Sequence, residues 1–487
     1  MSGSMTIIAS LVIPFIGAIG IALAGRFNDN LREAVTLITA GLLAWTVWSL
    51  LPEILAGGRP AISVGEIVPG IEIAFKVEPL GMLFAALASG LWIVNSIYSI
   101  GYMRGNQEKN QTRFYTFFAI ALSAAMGIAF SGNLFTLFLF YEVLTLSTYP
   151  LVSHKGDEKT VRSARVYLGV LITTSIGLFL PAIIWTYIAA GTGDFTMGGI
   201  LAGKISGPEV GLLLGLFVFG IGKAAVMPVH RWLPAAMVAP TPVSALLHAV
   251  AVVKAGVFSI TKIIVYVFGI DFLASAPSAD WLMYAAAFTI IAASLVALKQ
   301  TNLKRLLAYS TIAQLSYVVM ATAILKPLAE IGAAIHMVAH AFGKITLFFA
   351  AGAIYVASKK TELYQLRGIG HRMPWTMTAF TIGALSMIGV PPTAGFVSKW
   401  YILAGAFEAD NYVAIATIIG STVLNAAYFL PIIYYAWFVP EKPGVGKDHG
   451  EAPMMAVLAL TITATLTIGF FLFNATALEL ERQLVSP

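Results

Sequence analysis

Apolar residues fall along this chain in stretches of about 20, the length a helix needs to cross the hydrocarbon layer of a bilayer, separated by short groups of Gly, Pro and charged residues. Read with that punctuation, the pattern predicts about fourteen spans. They cover residues 5–25, 31–51, 74–100, 113–130, 132–153, 162–190, 210–230, 243–269, 280–298, 304–324, 330–357, 374–407, 411–438 and 453–474. The first stretch, from Met5 to about Ala24, has no basic residues before it and no small-residue cleavage site, so it reads as a retained helix. Between the second and third spans, Ala61-Ile-Ser-Val and Ile71-Glu-Ile-Ala-Phe-Lys alternate in character around Pro69-Gly70. That alternation predicts a small β-hairpin outside the bilayer.

Composition agrees with a protein that lives in lipid. Of 487 residues, 59% are hydrophobic and only 11% charged, against roughly 25% charged in an average soluble domain. The formal charge of +6 could suggest nucleic acid, but the basic residues are scattered through short loops and form no stripe with aromatic partners. Their distribution reports topology. Loops after odd-numbered spans hold about 19 Lys and Arg, among them Arg104, Lys155, Lys304 and Arg372, against about five after even-numbered spans and in the tails, which predicts both termini outside. With no cysteine, the chain has no thiolate ligand for an iron–sulfur cluster or zinc, and any redox chemistry belongs to another subunit.

Two spans look interrupted. The seventh carries Lys223 with Pro228 five residues later, and the twelfth is broken by Gly389-Val-Pro-Pro-Thr-Ala-Gly395 before Lys399. They lie an odd number of spans apart, so two five-helix units would have opposite orientations. Broken helices at matching positions of inverted repeats point to a transport site, because unwound backbone survives at membrane depth only beside protein or a wet cavity. The expected organisation is a three-helix segment with the hairpin (1–112), a first repeat (113–270), a second repeat (271–440), and a last span with its tail (441–487).

A charged side chain near the bilayer centre costs about 2.5–3.5 kcal/mol on insertion scales, so each one invites a functional reading. Glu142 is the only acidic residue well inside a predicted span. It reads either as half of a structural ion pair or as a switchable partner for a buried lysine, whose proton affinity a nearby carboxylate raises and burial lowers. Lys223 is the natural partner. The Gly-Ile-Gly-Lys around it is not a phosphate loop, since Phe217 stands where the first glycine is needed and Ala224 replaces the metal-binding hydroxyl. His248 and Lys254 are six residues apart, on different faces of an unbroken helix though not of a locally broken one, and Lys262, nearer the outer end, reads either as snorkelling, the preferred reading, or as part of a relay. His336, His340 and Lys344 share one helical face at i, i+4 and i+8. Such a pair of histidines can also hold zinc or face a haem, but no third ligand is apparent, and near-neutral imidazoles suit a proton relay. Lys399 ends the series. Ser310, Thr311, Gln314, Ser316 and Tyr317 either hold water or bond to backbone and neighbouring helices.

At these residues the chain resembles the antiporter-like family shared by Mrp-type multisubunit Na⁺/H⁺ antiporters, respiratory complex I and membrane-bound energy-converting hydrogenases. The specific stretches are Tyr141-Glu142-Val-Leu-Thr-Leu, His230-Arg231-Trp232-Leu233-Pro234 through Pro240-Thr241-Pro242-Val243-Ser244 to His248, Leu303-Lys304-Arg305-Leu-Leu-Ala-Tyr309-Ser310, and Gly389-Val-Pro391-Pro392-Thr-Ala-Gly395-Phe. The resemblance implies a fourteen-helix core with two inverted five-helix repeats, a Glu142–Lys223 pair, and a hydrophilic axis through His248, Lys254, Lys344 and Lys399. Lys399 and the chain length resemble the D-type antiporter subunit, while His248 with Lys254 also resembles the A-type branch. The expected role is a proton-translocating subunit of a cation/proton antiporter in a prokaryotic cell membrane, and the alternative is a pumping subunit of a redox complex. Its expected partners are other membrane subunits, protons, Na⁺ and lipid. Neither cofactor, metal site nor nucleic acid is expected.

Overall fold

The computed structural model describes residues 3–68, 70–441 and 450–485; Pro69 of the expected hairpin turn and residues 442–449 of the C-terminal segment lie outside them. Among the described residues, twelve helices are long and apolar enough to cross a membrane. Two further spans are the interrupted ones, so all fourteen expected crossings are occupied. The chain is a multi-pass integral membrane protein. Short polar side chains fix several helix starts by accepting an otherwise unpaired N–H: Asn28 from Leu31, Asn133 from Thr136, Asn302 from Arg305 and Asn411 from Ala414.

The hairpin forms as expected. Strand β1 (Ala61–Val68) pairs antiparallel with β2 (Ile71–Lys76), Ala61 opposite Lys76. It is sewn to the start of the helix Leu134–Val152, with Lys76 N donating to Phe130 O at 2.8 Å, Gly132 N to Ala74 O at 2.7 Å and Asn133 Nδ2 to Glu72 O at 2.9 Å. Both described chain ends lie on this side: Ser4 Oγ donates to Ala61 O at 2.9 Å, and Gln483 Nε2 to Leu55 O at 3.0 Å.

Polarity is inverted relative to a soluble protein. Trp45, Ile188 and Met454 are 79%, 80% and 85% exposed on the outer surface, while Lys223, His248, Lys254, His336, His340 and Lys344 are buried. Lipid solvates the former, and only a protein interior can hold the latter.

Two departures from simple helices shape that interior. The span predicted at 243–269 begins as a π-helix over Val243–Ala251, continues as an α-helix over Val252–Ile263 and ends in a second π-turn at Ile264–Phe268. This wider winding changes the angular offset of His248 from Lys254, which a uniform α-helix cannot anticipate. The other departure is at the breaks. The helix Pro208–Gly220 stops before Lys223, and Ala225 takes a left-handed conformation (φ 56°). Against this unwound backbone lies Gly256, whose Cβ, were it present, would stand 2.2 Å from Ala224 N. The second break follows the helix Pro374–Ile388 at Gly389 (φ 92°), and the chain resumes helically at Ala394–Glu408. There Gly395 passes so close to Ser386 that a Cβ would meet its carbonyl oxygen at 1.8 Å.

Candidate functional site

At the first break, Lys223 points into the helix Leu134–Val152. Its Nζ donates to Tyr141 O at 2.9 Å and to Thr145 Oγ1 at 2.5 Å, and lies 3.1 Å from the centre of the Tyr141 ring. The freed backbone finds its own partners, because Lys223 N donates to Tyr141 OH at 3.1 Å and Trp232 Nε1 to Gly222 O at 2.8 Å. Glu142 is next to Tyr141 in the chain, yet it forms no ion pair within 4 Å of Lys223; it is half-buried, with Oε1 buried and without a protein partner. The lysine therefore rests between two neutral acceptors that flank the acid on one helix.

A run of hydroxyls leads onward. Thr148 Oγ1 donates to the backbone carbonyls of Leu144 at 2.8 Å and Thr145 at 3.1 Å and lies 2.5 Å from Tyr167 OH. The Tyr167 ring is 6.1 Å from that of His248, which also meets Trp232 at 6.2 Å. Both His248 ring nitrogens are buried without a protein partner. Thr145, Thr148 and Tyr167 were not candidates from sequence, although Thr145 and Thr148 sit one and two turns past Tyr141, a spacing that shares a helix face.

In the second half the predicted residues come together across four helices. Lys254 Nζ contacts His340 Nδ1. The His340 ring stacks on that of His336 at 6.1 Å, and His336 stacks on Tyr317 at 5.3 Å. His336 Nδ1 lies 2.9 Å from Ser398 Oγ. The adjacent Lys399 Nζ donates to Met387 O at 3.1 Å, Ile388 O at 2.9 Å and Thr422 Oγ1 at 3.2 Å, and lies 5.2 Å from the Tyr317 ring. Met387 and Ile388 are the last residues of the first half-helix, whose carbonyls have no intrahelical donor, and an ammonium is the favoured group at that negative end of the dipole. Lys344 shares the histidine face but turns toward Leu307 O at 3.5 Å and the Phe429 ring at 5.6 Å. Of the expected polar helpers, Gln314 has both side-chain atoms buried and unpartnered, while Ser310 bonds Tyr428 OH at 2.9 Å.

One expectation fails outright. Lys262 does not snorkel: it is 1% exposed, and its Nζ lies 3.2 Å from Glu78 Oε2 and donates to Ser131 O at 2.7 Å. Glu78 and the buried Glu330 lay too near span ends to stand out in the sequence, and the buried Glu481 lay in the tail beyond the last span.

On the side away from the hairpin, a cleft of about 540 Å³ opens between the halves, with Lys155, Asp157 and Lys159 on one wall and Lys304, Arg305 and Glu362 on the other. Hydrogen bonds from Thr160 hold the Asp157 carboxyl below the usual carboxylate range, and one from Asn302 does the same for Glu362.

Comparison with known proteins places this geometry. The family described as NADH:quinone oxidoreductase/Mrp antiporter, TM matches residues 131–425. The chain is 31% identical over 481 residues, 95% of either protein, to NADH-quinone oxidoreductase subunit N of Desulforudis audaxviator. It is 26% identical over 466 residues, 94% of this chain and 92% of the relative, to a D-type subunit of the Na(+)/H(+) antiporter of Alkalihalophilus pseudofirmus. Its fold matches a chain in the structure of the Mrp complex from Dietzia sp. with a TM-score of 0.87 at 21% identity, covering 99% of this chain and 97% of that one.

Proposed function

Because the chain belongs to the transmembrane family shared by NADH:quinone oxidoreductases and Mrp antiporters, we propose that it is the proton-translocating subunit of a multisubunit Na⁺/H⁺ antiporter. It works in a prokaryotic cytoplasmic membrane with both termini outside, and its two halves, spans four to eight and nine to thirteen, act as inverted repeats. The observation that carries this reading is the run of buried titratable and hydroxylic groups from Lys254 to Lys399, in which Lys254 meets His340 and His336 meets Ser398 at hydrogen-bond distance, the two histidine rings stack 6.1 Å apart, and Lys399 follows Ser398 in the chain. Buried polar atoms without protein partners along it, on Gln314, Ser316, His336, His340 and Ser421, each cost about 1–3 kcal/mol unless water reaches them, which favours a hydrated interior over a passive scaffold.

In this mechanism Glu142 biases Lys223. When the carboxylate swings toward the ammonium it favours the charged amine, and when it withdraws, desolvation favours proton release. The released proton passes by way of Thr145, Thr148, Tyr167 and His248 toward Lys254, and along the histidine face, with Lys344 alongside, to Lys399. Imidazoles accept on one nitrogen and donate from the other, and because the two rings stack, the proton passes between them by way of water bonded to the unpartnered His336 Nε2 and His340 Nε2.

The test is Na⁺-driven pH change in everted vesicles carrying the assembled complex. Glu142→Gln and Lys223→Ala are each expected to lower it by roughly 10²-fold, and unchanged activity in both defeats the reading. A second reading, a pumping subunit of a redox complex, is favoured by the 31% match to an NADH-quinone oxidoreductase subunit. Proton pumping by the purified complex with an electron donor and no Na⁺ gradient would select it.

A further inference from the structure

At the hairpin end of the interior, one carboxylate touches both the buried core and the surface. Glu78 stands between strand β2 and the helix Pro79–Gly105. Its Oε2 lies 3.2 Å from Lys262 Nζ, and its Oε1 lies 3.4 Å from Lys76 Nζ. The three side chains form a gradient of access, with Lys262 1% exposed, Glu78 4% and Lys76 36%. One oxygen thus faces a lysine sealed in the protein and the other faces a lysine that water reaches.

Lys262 also continues the titratable series geometrically. It lies eight residues beyond Lys254 on the same helix, Val252–Ile263, which at 1.5 Å per residue moves about 12 Å toward the hairpin side. Ser131 O accepts from its Nζ, and the Phe195, Phe258 and Tyr266 rings lie 4.5, 5.6 and 6.0 Å from it. One turn further on, the Tyr266 hydroxyl is buried without a protein partner, within electrostatic reach of Glu78, Glu481, Glu330 and Arg59. A pin between hairpin and helix needs no ion pair, because apolar side chains of similar volume are often as stable as a buried pair or more so.

We propose that Lys262 and Glu78 form the hairpin-side release branch of the proton path, with Glu78 handing protons from the interior to bulk water and Lys76 positioning it. This rests on the proton-translocating reading above. In the step, an N–H bond of the Lys262 ammonium breaks and an O–H bond forms on Glu78, leaving a neutral amine and a carboxylic acid. Glu78 then gives that proton to water on the hairpin side and regains its charge, while Lys262 is reprotonated from the Lys254 side. The exposed Lys76 ammonium, 3.4 Å from the other oxygen, holds Glu78 facing the water to which it releases.

The experiment compares Glu78→Gln, Glu78→Asp and Lys76→Met with Glu142→Gln in the assembled complex in vesicles, varying the pH on the hairpin side alone. Expected are a loss of transport of roughly tenfold or more in Glu78→Gln, recovery of most of it in Glu78→Asp, and a shifted dependence on hairpin-side pH in Lys76→Met. Wild-type transport in Glu78→Gln, with Glu142→Gln inactive, overturns the branch and leaves the wider reading standing. An active Glu142→Gln instead removes the wider reading. Should Glu78→Gln fail to assemble, Lys76→Met decides alone, and an unshifted hairpin-side pH dependence overturns the branch.

Discussion

At the first break the Lys223 ammonium crosses to another helix, where Tyr141 O and Thr145 Oγ1 receive it, and the unwound backbone is satisfied separately by Tyr141 OH and the Trp232 indole. At the second break Lys399 folds back onto Met387 O and Ile388 O, the carbonyls that its own break sets free. The difference lies in what each charge supports. Lys223 can lose its proton without unsettling its break, since other groups hold that backbone, and the helix that receives it also carries Glu142. Lys399 has no acid on its contacts; its charge caps a helix end, so deprotonation there removes the charge that the negative end of the dipole favours and weakens both bonds to its carbonyls. In the proposed mechanism one lysine is switched by a carboxylate and the other by the half-helix it terminates.

The sharpest way to separate those roles is Lys399→Arg set beside Lys399→Met. A guanidinium keeps the charge and can still donate to both carbonyls, but it does not give up its proton at accessible pH. Lys399→Arg is therefore expected to assemble with near-normal thermal stability and to lose roughly 10²-fold in transport. Lys399→Met is expected to lose transport and also about 1–3 kcal/mol of stability, the cost of leaving buried acceptors unpaired. Vesicle transport and thermal unfolding of the purified complex read the two quantities. Equal stability in both variants would remove the capping role from Lys399 and erase the contrast with Lys223.

Both breaks depend on a glycine where a second segment passes against backbone. A Cβ on Gly395 would lie 1.8 Å from Ser386 O, and one on Gly256 2.2 Å from Ala224 N. Neither obstacle is a flexible side chain, so Gly395→Ala and Gly256→Ala are each expected to cost about 3 kcal/mol or somewhat more, Gly395→Ala the more of the two. Lowered thermal stability of the assembled complex checks this, and a neutral Gly395→Ala would show that the second break has room the first lacks.

The spans and their breaks were legible because lipid imposes them: about 20 apolar residues are needed to cross, and Gly and Pro at Gly389-Val-Pro391-Pro392 cannot continue a helix unaided. The titratable core was legible for the same reason, since Lys223, Lys254, Lys344 and Lys399 are too expensive to keep in lipid for packing alone. Partnership was not. Whether Lys223 meets Glu142 or Tyr141 O depends on helix rotation, and the meeting of Lys254 with His340 depends on two helices in contact, one of them wound as a π-helix at its start. Lys262 was misplaced because snorkelling assumes lipid around a helix end, whereas here Glu78, Ser131 and Phe195 close over it.

Trp232→Phe offers the gentlest test of how the first break is held. Phenylalanine retains an aromatic ring for Tyr167 and His248 to pack on but lacks the indole N–H that reaches Gly222 O at 2.8 Å. One buried acceptor beside Lys223 then loses its donor, and the expected cost is about 1–2 kcal/mol. Transport should fall less than in Lys223→Ala, because Lys223 keeps Tyr141 O and Thr145 Oγ1. The paired variant at the second break is Thr422→Val, which removes only one of three acceptors from Lys399 and is expected to cost about 0.5–1.5 kcal/mol. Thermal unfolding of both in the same complex ranks them. A larger loss in Thr422→Val would mean that Lys399 leans on its neighbour helix as Lys223 does, and the two breaks would then share one design.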